Sequence, residues 1–314
     1  MTKAAGHVEA GQEPASSVRE LPAPEEAAIA AGPPTFTPPL DYGKPHVKAG
    51  KPRGLPSDAI PDTIIDGADY EGLTVRGVSL RGDDHRYNTG PRQDSMGLWI
   101  LHRPGKVDWL LVCVADGVGS QPLSHRGSAL ACRLLRDEAF ASIDELDHPM
   151  IAQRIAQRMA QQMVNAAKND GHDPQMLSTT LVAALVELTP VSRPRPFLVF
   201  GVGDSTAYLL RGGAFQRLLE EQPGAGPISD SGTNALPAHP DSVATAVGSL
   251  GDDDMLLVCT DGLVNPMRTR EVEEQLINWW TKGPVPGLPE FGWQLSFRAK
   301  SYGDDRTAVC VWGR

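Results

Sequence analysis

Four aspartates sit at the ends of short apolar runs, each followed at once by a small or polar residue: Asp116 in LLVCVADGVGS, Asp204 in FLVFGVGDSTAYLL, Asp261 in MLLVCTDGL and Asp304 in SYGDDRTAVCVW. Runs such as Trp109–Ala115 and Met255–Cys259 are rich in Val, Leu and Cys and too short to be helices by default, so they predict buried strands. A carboxylate at the end of such a run is held on a rigid element. Several carboxylates brought together repel one another and have their pKa values raised, so a cluster of them is tolerable only with bound cations. An all-oxygen ligand set favours Mg²⁺ or Mn²⁺ over zinc.

The chain has 314 residues, enough for one large domain or two ordinary ones. The first sixty or so are rich in Ala, Pro, Gly and Glu, with Pro33-Pro34 and Pro38-Pro39 favouring extended segments. Such a stretch buries too little apolar surface to offset the entropy of ordering, so residues 1–62 read as a disordered tail and 63–314 as the folded domain. The tail is either a tether or docking segment or an extension with no role. A net charge of −10 and a pI near 5.3 argue against nucleic acid as a partner, and the aspartate set supplies part of that charge. The opening MTKAAGHVEAGQEPASS lacks the apolar core of a signal peptide, and no stretch approaches the ~20 apolar residues of a membrane span. The expectation is a cytoplasmic protein with no membrane partner. Cys113, Cys132, Cys259 and Cys310 form no C-x-x-C pair, and all but Cys132 lie inside apolar runs, so they read as buried reduced thiols.

Along the folded part, strands are expected at Leu73–Leu80, Ser95–His102 and Val107–Ala115. Two helices follow. One runs from Ser124, as N-cap, to Phe140; the other, Pro149 to Asn169, carries Ile151, Ile155, Met159 and Met163 at a spacing of four, a core-facing stripe. From Ser178 the pattern turns to strands, with Arg211-Gly212-Gly213 joining two of them as a hairpin. Consecutive strands without helices between them pair antiparallel. Glu220–Asp254, rich in Gly, Pro, Asp and Ser, reads as a long irregular segment of functional or mobile character. A last amphipathic helix is expected over Thr269–Trp280.

The order of these motifs resembles the metal-dependent protein Ser/Thr phosphatases of the 2C type. GDDHRYNTGPRQDS looks like the opening block of the bacterial branch, with its His, Gly and terminal Gln-Asp pair. ADGVGS is similar to the first Asp-Gly motif, STTLVAAL to the Thr-Thr strand, VGDSTAYLL to the Gly-Asp-Ser motif, TDGL to the second Asp-Gly motif and DDRTAVCV to the closing Asp-Asp/Asn-x-Thr motif. Each tripeptide is weak alone; their order from about Ser79 to Trp312 is specific. The resemblance implies an α+β fold, a four-layer α/β/β/α sandwich of two antiparallel sheets flanked by helices. It also implies two metal ions, Mg²⁺ or Mn²⁺, at one edge of the sandwich, with Asp116 bridging both, the Gly117 carbonyl on one, and Asp261 and Asp304 on the other. Asp204 with Asp261 is a candidate third site; the alternative for Asp204 is to orient Ser205 or cap a turn. Gln93 stands where many members have Glu on metal-bound water, with Asp94 beside it, and a neutral amide there predicts weaker metal binding.

Two divalent ions about 4 Å apart lower the pKa of a water between them and neutralise phosphoryl oxygens, which is the chemistry of phosphate ester hydrolysis. A Gly beside the carboxylate lets a backbone carbonyl approach an ion. Two departures from the resemblance stand out. Val118 occupies the place where many eukaryotic members carry a His, leaving His125 as a candidate acid whose plainer role is that of a surface helix residue. The phosphate-binding Arg is out of register; Arg86 is the first candidate and Arg92 the second, a guanidinium matching phosphate oxygens in bidentate fashion. The expected function is hydrolysis of phosphoserine and phosphothreonine in proteins by attack of a metal-bridging water, with a cognate Ser/Thr kinase or its targets as partners. The alternatives are an inactive pseudophosphatase that binds phosphoproteins, and a regulatory module whose tail and Glu220–Asp254 segment choose partners.

Overall fold

The computed structural model describes residues 39–43, 60–188, 194–220 and 234–313. Most of the span read as a disordered tail, and part of Glu220–Asp254, lie outside the described residues.

A period-two pattern explains why the strands read as unbroken apolar runs. In β5 (Trp109–Ala115), Leu110, Val112 and Val114 face one core while Leu111, Cys113 and Ala115 face another. In β11 (Met255–Cys259), Leu256 and Val258 join the first of these cores and Met255, Leu257 and Cys259 a third. Both faces of each sheet are therefore covered, and alternation of polar and apolar residues has no place in the central strands. All four cysteines are free and buried, as expected.

One sheet has five strands in the order β10 (Ala244–Leu250), β7 (Arg195–Val202), β6 (Leu181–Glu187), β5, β4 (Ser95–Leu101). The other has six, in the order β2 (Thr63–Tyr70), β3 (Leu73–Leu80), β13 (Arg306–Gly313), β11, β8 (Thr206–Arg211), β9 (Ala214–Arg217). All pairs within these two sheets are antiparallel. The first core lies between the sheets. Helices α2 (Ser124–Ala141) and α3 (Ile151–Asn169) cover the outer face of the five-stranded sheet, and Ile151, Ile155, Met159 and Met163 are buried there as the spacing predicts. Helices α4 (Asp261–Met267), α5 (Arg270–Thr281) and α6 (Leu288–Leu295) cover the six-stranded sheet. The architecture is the four-layer α/β/β/α sandwich.

The Gly212-Gly213 hairpin joins β8 to β9 with φ of 59° and 76°, values that favour glycine. Other details differ from expectation. Ser124 is the first residue of α2 rather than its cap; Leu123 takes the cap position and the buried Ser124 hydroxyl has no hydrogen-bond partner among the described residues. Strand β10 forms inside the stretch read as irregular. It is an edge strand, exposed at three of its seven positions and partly exposed at three more, with Val247 80 % exposed and Leu250 alone in the strand buried, so its apolar pattern is weak. Short helix α1 (Asp83–Asn88) and helix α6 were not apparent from periodicity.

Within the span read as tail, β1 (Asp41–Tyr42) pairs in parallel with β12 (Arg298–Ala299), and the Tyr42 ring stands edge-on to Phe297 at 5.5 Å. Arg298 N donates to Leu40 O at 2.8 Å and Lys300 N to Tyr42 O at 3.0 Å. These contacts fix the segment that leads into Asp304. Among the described residues no helix is long and apolar enough to cross a membrane.

Candidate metal centre

Antiparallel pairing gathers the motif ends at one edge of the sandwich. Val114 of β5 lies opposite Val182 of β6, and Leu181 lies opposite Val202 of β7, so Asp116, Thr180 and Asp204 leave the five-stranded sheet on the same side. In the other sheet Cys259 of β11 lies opposite Ala308 of β13 and Thr206 of β8, which puts Asp261 and Asp304 at that edge too. Ser95 opposite Ala115 brings Asp94 to it.

The backbone of Asp116 is held from several sides. Its carbonyl accepts from Thr180 N and from the Thr179 hydroxyl, both at 2.8 Å, and its N–H donates to Thr180 Oγ1 at 3.1 Å. Thr180 Oγ1 in turn meets Ser205 Oγ at 2.7 Å. The Thr-Thr and Gly-Asp-Ser motifs thus act as the frame of the first Asp-Gly motif. The glycines of both Asp-Gly motifs are required by close approach: a Cβ on Gly117 would stand 2.7 Å from the Ser124 backbone, and one on Gly262 would stand 1.8 Å from Asp305 O.

The side chains converge. The Asp116 carboxyl is pushed well above the usual carboxylate range by burial and then by the charges of Asp94, Asp261, Asp304 and Asp204. Asp261 is raised by burial and by Asp204, against hydrogen bonding to Asp116, Asn265 and the Gly262 N–H. Its Oδ2 accepts from Asn265 Nδ2 at 3.1 Å, whereas Oδ1 is buried and receives no donor among the described residues. Asp304 is an exposed residue at the rim of the site, and partial loss of water around its carboxyl, then the charges of Asp261 and Asp305, push it up to about 7. Asp94 is buried and is raised by burial and by Asp305 and Asp304, while Thr260 Oγ1 donates to its Oδ2 at 2.8 Å. A crowd of raised carboxyls with an orphaned buried oxygen is what a divalent cation would complete, so the donor set fits such an ion.

Gln93 approaches the same place: its Oε1 is 3.6 Å from where a Cβ on Gly119 would lie, in the loop that follows Asp116. The arginines distribute differently from expectation. Arg92 is buried and spends Nη1 on Ser79 Oγ and the Asp94 carbonyl and Nε on the Pro61 carbonyl, so it braces the loop. Arg86 holds Asp62 in bidentate fashion, at 2.9 and 2.7 Å, and reaches Asp83 at 3.4 Å. It lines a pocket of about 50 Å³ beside Asp304, together with Arg81, Arg298 and Arg306. His125, expected on the helix surface, is buried in α2. Arg81 and Asp305 were missed by sequence reasoning. The signal for Arg81 was its place directly after a strand ending at this edge. For Asp305 it was the Asp doublet, where adjacent residues at a strand entry face different surroundings.

Two antiparallel sheets packed face to face, helices outside and carboxylates gathered at the strand ends define the class of metal-dependent phosphatases. The chain belongs to the protein phosphatase 2C family, whose profile matches residues 81–283. It is 28 % identical over 186 residues to a serine/threonine phosphatase stp of Listeria innocua, an alignment covering 53 % of this chain and 71 % of that protein. Among solved structures, the serine/threonine phosphatase Stp1 from Staphylococcus aureus superposes with a TM-score of 0.56 at 17 % identity, over 80 % of this chain and 100 % of that one. The S. agalactiae serine/threonine phosphatase gives a TM-score of 0.56, also at 17 % identity, over 77 % of this chain and 100 % of the other. At such identities these structures speak for the fold.

Proposed function

We propose that the carboxylate cluster is the hydrolytic centre of a metal-dependent protein serine/threonine phosphatase, with Asp116 shared by two cations, the Gly117 carbonyl on one, and Asp261 and Asp304 on the other. The observation that supports this reading most is the buried Oδ1 of Asp261, without a donor among the described residues, lying near the Asp116, Asp304 and Asp94 carboxyls, each raised above its ordinary range. Oxygen-only ligands of this kind suit Mg²⁺ or Mn²⁺. When bound, such a pair supplies a water of lowered pKa and neutralises phosphoryl oxygens.

The protein's own part is placement. Thr179 and Thr180 fix the Asp116 backbone, Thr260 orients Asp94, and the Arg81–Arg86 side of the pocket gives positive charge next to Asp304. Asp204, whose charge acts on both Asp116 and Asp261, is the candidate for a third, weaker ion. The convergence of Asp116, Asp261 and Asp304 at one edge supports turnover over a binding-only role. Phosphorylated proteins are the substrates; a cognate Ser/Thr kinase sharing those targets and a cytoplasmic setting complete the proposal. Phosphate release from a phosphothreonine peptide, with and without Mn²⁺, tests it.

Gln93 gives a finer test. Replacing its amide with a carboxylate keeps the shape and adds a charge near the Asp116 loop, worth on the order of 1 kcal/mol in a partly solvated site, or several-fold in affinity. Gln93→Glu should reach half-maximal activity at lower Mn²⁺, with turnover at saturating metal little changed. An unchanged or higher metal requirement would place Gln93 away from the metal's surroundings.

A further inference from the structure

The residue next to Asp304 is committed to a different task. The Asp305 side chain is 1 % exposed, and both of its oxygens are occupied. Oδ1 accepts from Gly82 N at 2.6 Å and from His85 Nδ1 at 2.8 Å. Oδ2 accepts from Gln93 N at 2.5 Å and, at 3.4 Å, from Asp94 N. These donors belong to the two ends of one segment, residues 82–94, whose far end carries Gln93 and Asp94. The same segment is fastened to the Asp304 turn by Asp84 N donating to Gly303 O at 2.9 Å.

A ring nitrogen of His85 and carboxylate oxygens of Asp304 and Asp305 all lie within 4.8 Å of one another. Asp305, saturated by donors, is poorly disposed to be a ligand itself. Its geometry is that of a carboxylate clamping the supports of a metal site, the arrangement by which outer partners set ligand orientation. An amide could not do the same: one of its two ends would be an NH₂ group facing either the Gly82 and His85 donors or the Gln93 and Asp94 donors.

We propose that Asp305 and His85 form a positioning pair, in which His85, donating through Nδ1, holds the Asp305 carboxylate so that Gln93 and Asp94 are fixed opposite Asp304. This rests on the metal-centre reading above. The pair acts on the metal's supports and touches neither substrate nor ion, and its consequence is metal affinity rather than the chemical step.

The test uses the full chain and Mn²⁺ alone as the probe, with binding read by calorimetry and activity titrated against Mn²⁺. Wild-type protein is the control for the metal-centre reading: if it binds no Mn²⁺, that reading fails before the pair is tested. Asp305→Asn should weaken Mn²⁺ binding by about 10–100-fold, the usual cost of losing an outer partner, with most of the turnover recovered at saturating metal. Because Asp305 is buried and its variant could misfold, His85→Ala and His85→Asn carry the same test at a more exposed position. His85→Ala should weaken Mn²⁺ binding, and His85→Asn, whose amide nitrogen can replace Nδ1 as donor, should recover most of that loss. Wild-type affinity in a folded Asp305→Asn or in His85→Ala would overturn the proposal. So would His85→Asn behaving as His85→Ala, since the other ring nitrogen would then be the one that matters.

Discussion

Asp116→Asn should lose more turnover than any other single change at the site, by more than about 100-fold, the upper end of what losing even an outer partner costs. The residue directly follows β5, its backbone is locked by Thr179 and Thr180, and its carboxyl feels the charges of Asp94, Asp261, Asp304 and Asp204 together. A group shared by two cations, the role proposed for Asp116, cannot be replaced by water at both, whereas Asp304 in this proposal serves one. Asp304→Asn should therefore lose no more than Asp116→Asn. The fold should survive, because the amide relieves repulsion among the carboxyls; metal-free Asp116→Asn should melt no lower than the metal-free parent. Near-normal turnover in folded Asp116→Asn, measured at saturating Mn²⁺, would remove the residue from the centre.

The second large effect is on stability. Asp304 has its folded pKa raised to about 7, above the value of an unfolded Asp, with burial the first cause. The metal-free folded state thus holds a proton that the unfolded chain has released, and stability falls as pH rises from the ordinary carboxylate range through about 7. His85 acts in the same direction. Burial alone would lower it, but the hydrogen bond and charge of Asp305, with Asp304 and Asp94, raise it to about 9. Its contribution is complete below about 6.5, the unfolded value, and is lost as pH rises through about 9. Metal-free protein should accordingly melt at a higher temperature at pH 6 than at pH 8.

Added Mn²⁺ should reverse the trend, since protons and cations compete for the same oxygens. At a hundred times its dissociation constant one ion adds about 2.7 kcal/mol, and with about 2–4 °C per kcal/mol for a domain of this size the melting temperature should rise by roughly 5–10 °C. The rise should be larger at pH 8 than at pH 6. A metal-free melting temperature that climbs from pH 6 to pH 8, or an Mn²⁺ shift larger at pH 6, would contradict the account.

Much of this was legible in the sequence for one physical reason: strands covered on both faces must be apolar throughout. Wherever that condition held, as at Trp109–Ala115 and Met255–Cys259, the strand and the carboxylate at its end could be read together. Strand β10 escaped because an edge strand half open to solvent carries no such run. Helix α1 is six residues with none buried, too short for a hydrophobic stripe. The roles of Arg92, Arg86 and Asp305 depend on partners up to 223 positions away, such as Asp305 with Gly82. Residue type could nominate an arginine for phosphate, but only packing reveals that Arg92 braces a loop and that Arg86 is already paired with Asp62. Asp261 and Asp116 needed no such knowledge, because strand order alone brings their ends together.

The most direct measurement is hydrolysis of a phosphothreonine peptide by the purified full chain with Mn²⁺ or Mg²⁺, before and after exhaustive chelation. The account predicts phosphate release with the metal, its loss on chelation and its return when the cation is restored. Undiminished turnover in the chelated protein would contradict it.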